Sequence, residues 1–131
     1  MFRRGSVLPL LALLVCVACH HPLLPIAEVH GAPLQQTPGA TLDDVADAIW
    51  TAASSLGWKP ERKAPNVIEA TLHVRSHVAV VRIEYDTRTF SIVTLSTENI
   101  QRDGDLILSR YNGWIENLRR RICVQSVWHR G

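Results

Sequence analysis

The chain has no apolar run long enough to cross a membrane. Its most hydrophobic stretch, Val7-Leu8-Pro9-Leu10-Leu11-Ala12-Leu13-Leu14-Val15-Cys16-Val17-Ala18, is broken by a proline, and it falls short of the ~20 residues that a helical span needs. Net charge is also low, +2 over the whole chain. Without Arg3 and Arg4 the Lys+Arg count falls from 14 to 12, equal to the 12 Asp+Glu. A general nucleic-acid binder needs a dominant basic surface, so that class is excluded as a partner. Zinc-ligand spacing, a phosphate-binding glycine loop and a nucleophile elbow are all missing. No catalytic residue, metal ligand or cofactor is therefore nominated, and the chain is not expected to be an enzyme. Cysteines are few: Cys16, Cys19 and Cys123. There is no internal repeat and no low-complexity block.

What the N-terminus does contain is an address. Arg3 and Arg4 form a basic start, and the short apolar run follows. That order reads as a secretory signal over residues 1–18. Val17 and Ala18 precede Cys19, and the triplet resembles the end of a bacterial lipoprotein signal. The resemblance implies cleavage before Cys19, with diacylglyceryl and N-acyl chains, palmitate among them, on that cysteine. The alternative is cleavage after Ala18 without lipid. Each buried methylene of an acyl chain contributes roughly 0.8 kcal/mol, so several chains anchor strongly. His20 stands where an Asp would favour retention in the inner membrane. By the same resemblance, the expected address is the periplasmic face of the outer membrane of a Gram-negative bacterium. With Cys16 removed and Cys19 acylated, only Cys123 remains, and no intrachain disulfide can form. Cys123 reads as a buried structural thiol, with an intermolecular bridge as the alternative.

Residues 19–40 carry Pro22, Pro25, Pro33 and Pro38 with Gly31 and Gly39 and show no helix or strand period. They read as a Pro-rich tether that could reach up to ~60 Å if extended. After cleavage about 113 residues remain, about 85 of them with element signals, enough for one domain with a modest core. That domain is placed at residues 41–125, with a tail at 126–131. Thr41 is a natural N-cap with Asp44 three residues on, and Leu42, Val45, Ala46, Ile49, Ala52, Ala53 and Leu56 follow at helical spacing. Gly57 stops the helix, and Lys59–Asn66 reads as a polar loop. A second helix is expected from about Asp105 to Val124, with Ile107, Tyr111, Trp114, Ile115, Leu118 and Ile122 as its stripe and Asp103 and Asp105 at its positive end.

Between the helices, Val67–Val74, His77–Tyr85 and about Thr89–Ser96 alternate apolar and polar residues with period two. Turns at Arg75-Ser76 and Thr87-Arg88 bring every apolar residue to one face and set Glu69 across from Arg82. A one-residue slip would turn that set outward. The expected fold is α+β: a two-layer sandwich in the order helix, three-stranded antiparallel meander, helix, with both helices on one sheet face.

The segments Gly57-Trp58, His77-Val78-Ala79-Val80-Val81, Tyr85-Asp86, Ser91-Ile92, Asn99-Ile100 and Tyr111-Asn112-Gly113-Trp114-Ile115-Glu116-Asn117-Leu118 carry a further likeness. In them the chain resembles a family of small uncharacterised lipoproteins of Gram-negative bacteria. The resemblance implies a fold and an address, but no activity. Thr94 and Ser96 depart from it, where Tyr and Asp are expected.

Chemistry-bearing side chains have structural readings. Asp43, Asp44 and Asp47 cap the first helix. His20, His21 and His30 lie in the tether, and His73 and His77 fall on opposite sheet faces. Arg119-Arg120-Arg121 is a helix end or a contact for anionic lipid. The remaining candidate is a surface. On the sheet face away from the helices the expected rows are Glu69–Arg82–Val93, Thr71–Val80–Leu95 and His73–Val78–Thr97. Val78, Val80, Val93 and Leu95 gather there around His73, and a contiguous apolar cluster of that kind marks a contact site. The function expected is an envelope-anchored, non-enzymatic lipoprotein that binds a protein partner or a second copy through this cluster. The alternative is a small-ligand or lipid-binding module, with a pocket beside Ala70 and Ala79 between helices and sheet.

Overall fold

The computed structural model describes Gly5 and residues 22–129. Cys16 and Cys19 lie outside the described residues, as does the signal segment apart from Gly5. The elements run β1 (Leu23–Pro25), β2 (Val29–Pro33), β3 (Gln35–Gln36), α1 (Leu42–Ser55), β4 (Lys59–Ala64), β5 (Val67–Val74), β6 (His77–Tyr85), β7 (Thr89–Glu98), β8 (Arg102–Asp103), β9 (Leu106–Leu108), α2 (Ser109–Val124) and β10 (Ser126–Val127).

The expected three-stranded meander is corrected by this architecture. Among the described residues the main sheet has five antiparallel strands in the order β2-β7-β6-β5-β4, and two small sheets join it, β1-β9-β8 and β10-β3. The central hairpin keeps its expected register, from Ile68 opposite Ile83 to Val74 opposite His77. Arg75 takes the left-handed conformation, φ 55°, that closes this tight turn. The second hairpin closes on Asp86, whose carboxylate accepts from the N–H groups of Arg88 and Thr89, both at 2.7 Å. Here the register holds from Tyr85–Phe90 to Val81–Thr94, then shifts by one residue. Leu95 is the extra residue, a bulge that moves Ser96 opposite Val80 and Glu98 opposite Val78.

The added strands occupy stretches read as irregular. β4 is the polar segment Lys59–Ala64, paired with β5 around a turn at Pro65-Asn66. It sits at the sheet edge, where a proline and charged side chains are tolerated. β2 forms the other edge and pairs with β7, with a register break between Val29 and Ala32 at Gly31, φ 62°. β1 and β3 also lie within residues 19–40, so from Pro22 onward that segment is built into the fold rather than serving as a free tether. The tail is fixed too: β10 runs parallel to β3, and Val127 is fully buried.

α1 starts as the sequence indicates. Asp44 N–H donates to Thr41 Oγ1 and Thr41 N–H donates to Asp44 Oδ2, at 3.2 and 2.8 Å, the reciprocal box that satisfies two free helix donors. α2 starts later than expected. Residues 106–108 form β9, so Ile107 is buried from a strand and Asp105 sits in the β8–β9 turn. The two helices pack on each other and on one face of the main sheet, α1 above β4 and β5, α2 toward β2 and β9. Ile68, Val81, Ile83 and Ile92 rise from the sheet to meet Val45, Ile49, Tyr111, Ile115 and Leu118, all at 1% exposure or less. Each such aliphatic side chain stabilises the fold by roughly 1.5–3 kcal/mol.

Candidate functional site

Both helices lie on the inner face, which leaves the outer face of the five-stranded sheet uncovered by either. Its rows follow from the register. Glu61, Glu69, Arg82 and Val93 lie side by side, and the next row is Lys59, Thr71, Val80 and Ser96. The third is His73, Val78 and Glu98. The expected apolar cluster is therefore present but narrower than the sequence suggested. Val78, Val80 and Val93 are half-buried, and His73 and Leu95 are exposed, Leu95 at 42%. The bulge replaces the expected Leu95 and Thr97 neighbours of Val80 and Val78 with Ser96 and Glu98, which gives the strip a polar border. Along the same face Arg82 pairs with Glu84 at 2.8 Å and Lys63 with Glu61 at 3.1 Å. The result is an apolar strip within a charged surround.

The volume between helices and sheet is filled at the positions where the pocket was expected. Ala70 and Ala79 have no exposed surface, nor do Tyr111 and Leu118. A side chain that no water-sized sphere touches does not line a cavity of that size. Trp114 packs beside other rings. It is half-buried, with its ring 6.4 Å from His77 and 6.1 Å from Tyr111.

The titratable side chains hold structure together. Tyr111 shares a short hydrogen bond with Thr94, and burial pushes its phenol up from the ordinary range. His77 contacts the Asn99 carbonyl, and Asn99 donates to Ser76 O at 2.9 Å. Asp44, already part of the helix cap, lies 3.0 Å from His129 in the tail. Glu116 holds Arg119 through two hydrogen bonds, and this partner lowers its carboxyl below the usual value. Cys123 is a half-buried free thiol. Among the described residues, no three His, Cys, Asp or Glu side chains come together as a metal-binding group, and no helix is long and apolar enough to cross a membrane.

Two features were not anticipated. Asn112 grips the chain entering the fold: its Oδ1 accepts from Ala27 N–H and its Nδ2 donates to Pro25 O, each at 2.8 Å. Asn117, further along α2, accepts from Arg120 on the helix surface. The second feature is the leucine-rich pairing of β1 with β9. Its signal was present in Leu23-Leu24-Pro25 and Leu106-Ile107-Leu108, but prolines disguised the first run and helical spacing absorbed the second. No protein-family model, curated protein or solved structure matches the chain.

Proposed function

We propose that this chain is an envelope lipoprotein, anchored by acyl chains on Cys19 at the periplasmic face of the outer membrane, that acts without catalysis by binding a protein partner on the open face of its sheet. The lipobox-like Val17-Ala18-Cys19 supports the anchor, and so does the likeness to small Gram-negative lipoproteins. The observation that carries the binding role is the strip Val78, Val80, Val93 and Leu95, with His73 beside it. It lies on a sheet face that neither helix covers. An apolar core with a polar border is the usual anatomy of a protein contact. The filled interior around Ala70 and Ala79 favours this role over a ligand pocket.

A photoreactive amino acid at position 80, introduced in living cells, tests the reading. It should give one discrete adduct, absent when the probe stands at Trp50 on the exposed side of α1. The captured protein, purified, should bind the domain in solution and lose that binding on Val93→Arg. Failure of the purified pair to bind would refute the partner role. The anchor has its own test. Cys19→Ser should abolish metabolic labelling by a clickable fatty acid, and equal labelling of both forms would refute lipidation.

A further inference from the structure

We infer that the β1–β9 face is a membrane-contact surface, pressed onto the bilayer that holds the anchor; this rests on acylation of Cys19. The reach of the chain sets the geometry. Residue 22 opens the described fold, and three peptide units separate it from Cys19. Even fully extended they span only ~11 Å. The entering chain is then fastened. Leu23, Leu24 and Pro25 pair with Leu108, Ile107 and Leu106. Ile26 N–H donates to Asp105 O at 2.9 Å, and Asn112 clamps Pro25 and Ala27. No long arm remains to lift the domain off the surface.

The side chains on this small sheet suit that position. Residues directly opposite in an antiparallel pair point to the same side, and sides alternate along the strand. Ile107 is fully buried, so its side faces the core. Leu23, Pro25, Leu106 and Leu108 therefore share the other, outward side, with Leu106 at 39% exposure and Pro25 exposed. Leu24, opposite Ile107, belongs to the inner side and is not part of this set, although at the free edge of β1 it is 42% exposed. Asp103, opposite Leu106, is the charged member of the outward side. Arg102, opposite Ile107, belongs to the inner side, and Asp105 in the β8–β9 turn and Arg110 at the start of α2 are exposed groups of opposite sign. The apolar residues, not a net charge, define what the face fits: the lipid interface rather than a specific anionic headgroup. Weak intrinsic affinity suffices, because the anchor holds the face at millimolar effective concentration.

The test uses full-length protein acylated in cells and reconstituted into phosphatidylethanolamine–phosphatidylglycerol vesicles. A polarity-sensitive fluorophore goes on Leu106→Cys in a Cys123→Ser background. The comparison probe goes on Lys63→Cys, in the opposite edge strand. The label at 106 should shift to the blue and be quenched several-fold more than that at 63 by shallow nitroxide lipids. Quenching should persist in high salt. A flexible insert of twelve Gly/Ser residues between His21 and Pro22 should reduce it while leaving acylation intact. Protein that is acylated and vesicle-bound, but with a label at 106 as wet as that at 63, would overturn this inference alone. Protein that carries no acyl chain would overturn both it and the anchor reading.

Discussion

At the scale of single residues, the account depends on a core with no spare volume and on a few polar side chains that fix the backbone. Ala79 is the sharpest case. It is fully buried at the centre of β6, and adding methylenes to a packed site costs about 1–3 kcal/mol. Ala79→Leu should lower stability by that amount in denaturant unfolding, and an unchanged midpoint would reveal room for a ligand. Asp86 makes the second prediction. Hydrogen bonds from Arg88 and Thr89 N–H hold its carboxyl below the usual carboxylate range. A depressed folded value stabilises the protein above the ordinary carboxylate range, and that contribution disappears as pH falls through the lowered value. Asp86→Asn should therefore flatten the acid limb of a stability–pH curve, and Asp86→Ala should cost about 1 kcal/mol near neutrality. Asn112→Ala removes two hydrogen bonds to the entering chain. It should speed amide hydrogen exchange across residues 23–27 while the main sheet stays protected; uniform acceleration everywhere would show that Asn112 supports the whole fold instead.

At the scale of elements, the tail makes the clearest prediction. Val127 is buried, its carbonyl accepts from Thr37 N–H at 3.0 Å and Thr37 Oγ1 at 3.1 Å, and His129 reaches Asp44. Deleting residues 126–131 should cost at least about 2 kcal/mol from the valine alone, roughly 8 °C or more in Tm for a domain this small. A Tm within 2 °C of the intact chain would show the β3–β10 pairing to be dispensable. The central strands and α1 were legible in the sequence because burial wrote itself into them: one apolar face at period two, one at 3.6, and a capping box. β4 left no such trace. An edge strand is held by backbone hydrogen bonds, and Lys59, Glu61, Arg62 and Lys63 keep its side chains in water. β2 lost its alternation to the irregularity around Gly31. β9 reads as part of α2 because Ile107 extends the helical spacing, although Leu108 offers the helix no side-chain cap. The candidate surface was half legible. Its residues follow from alternation, but the Leu95 bulge that narrows it involves no glycine or proline and leaves no mark in the chain.

At the scale of the whole molecule, the domain has one helix-covered face and one open face, and the proposed lipidation of Cys19 would give it a short entry from the anchor. The inner face is committed to the core; the β1–β9 face is proposed to meet the bilayer and the strip around Val80 a partner. Position 80 separates folding from function, since Val80 sits on the side away from the helices, opposite Thr71 and Ser96. Surface substitutions of this kind usually change stability by no more than about 0.5 kcal/mol. A charge placed in the middle of an apolar contact costs far more than that in binding. The most direct measurement is therefore paired: thermal unfolding of the Val80→Arg domain, and its affinity for the partner captured from position 80. The account predicts a Tm within about 3 °C of wild type and at least a tenfold loss of affinity. A folded variant that binds as tightly as wild type would contradict it.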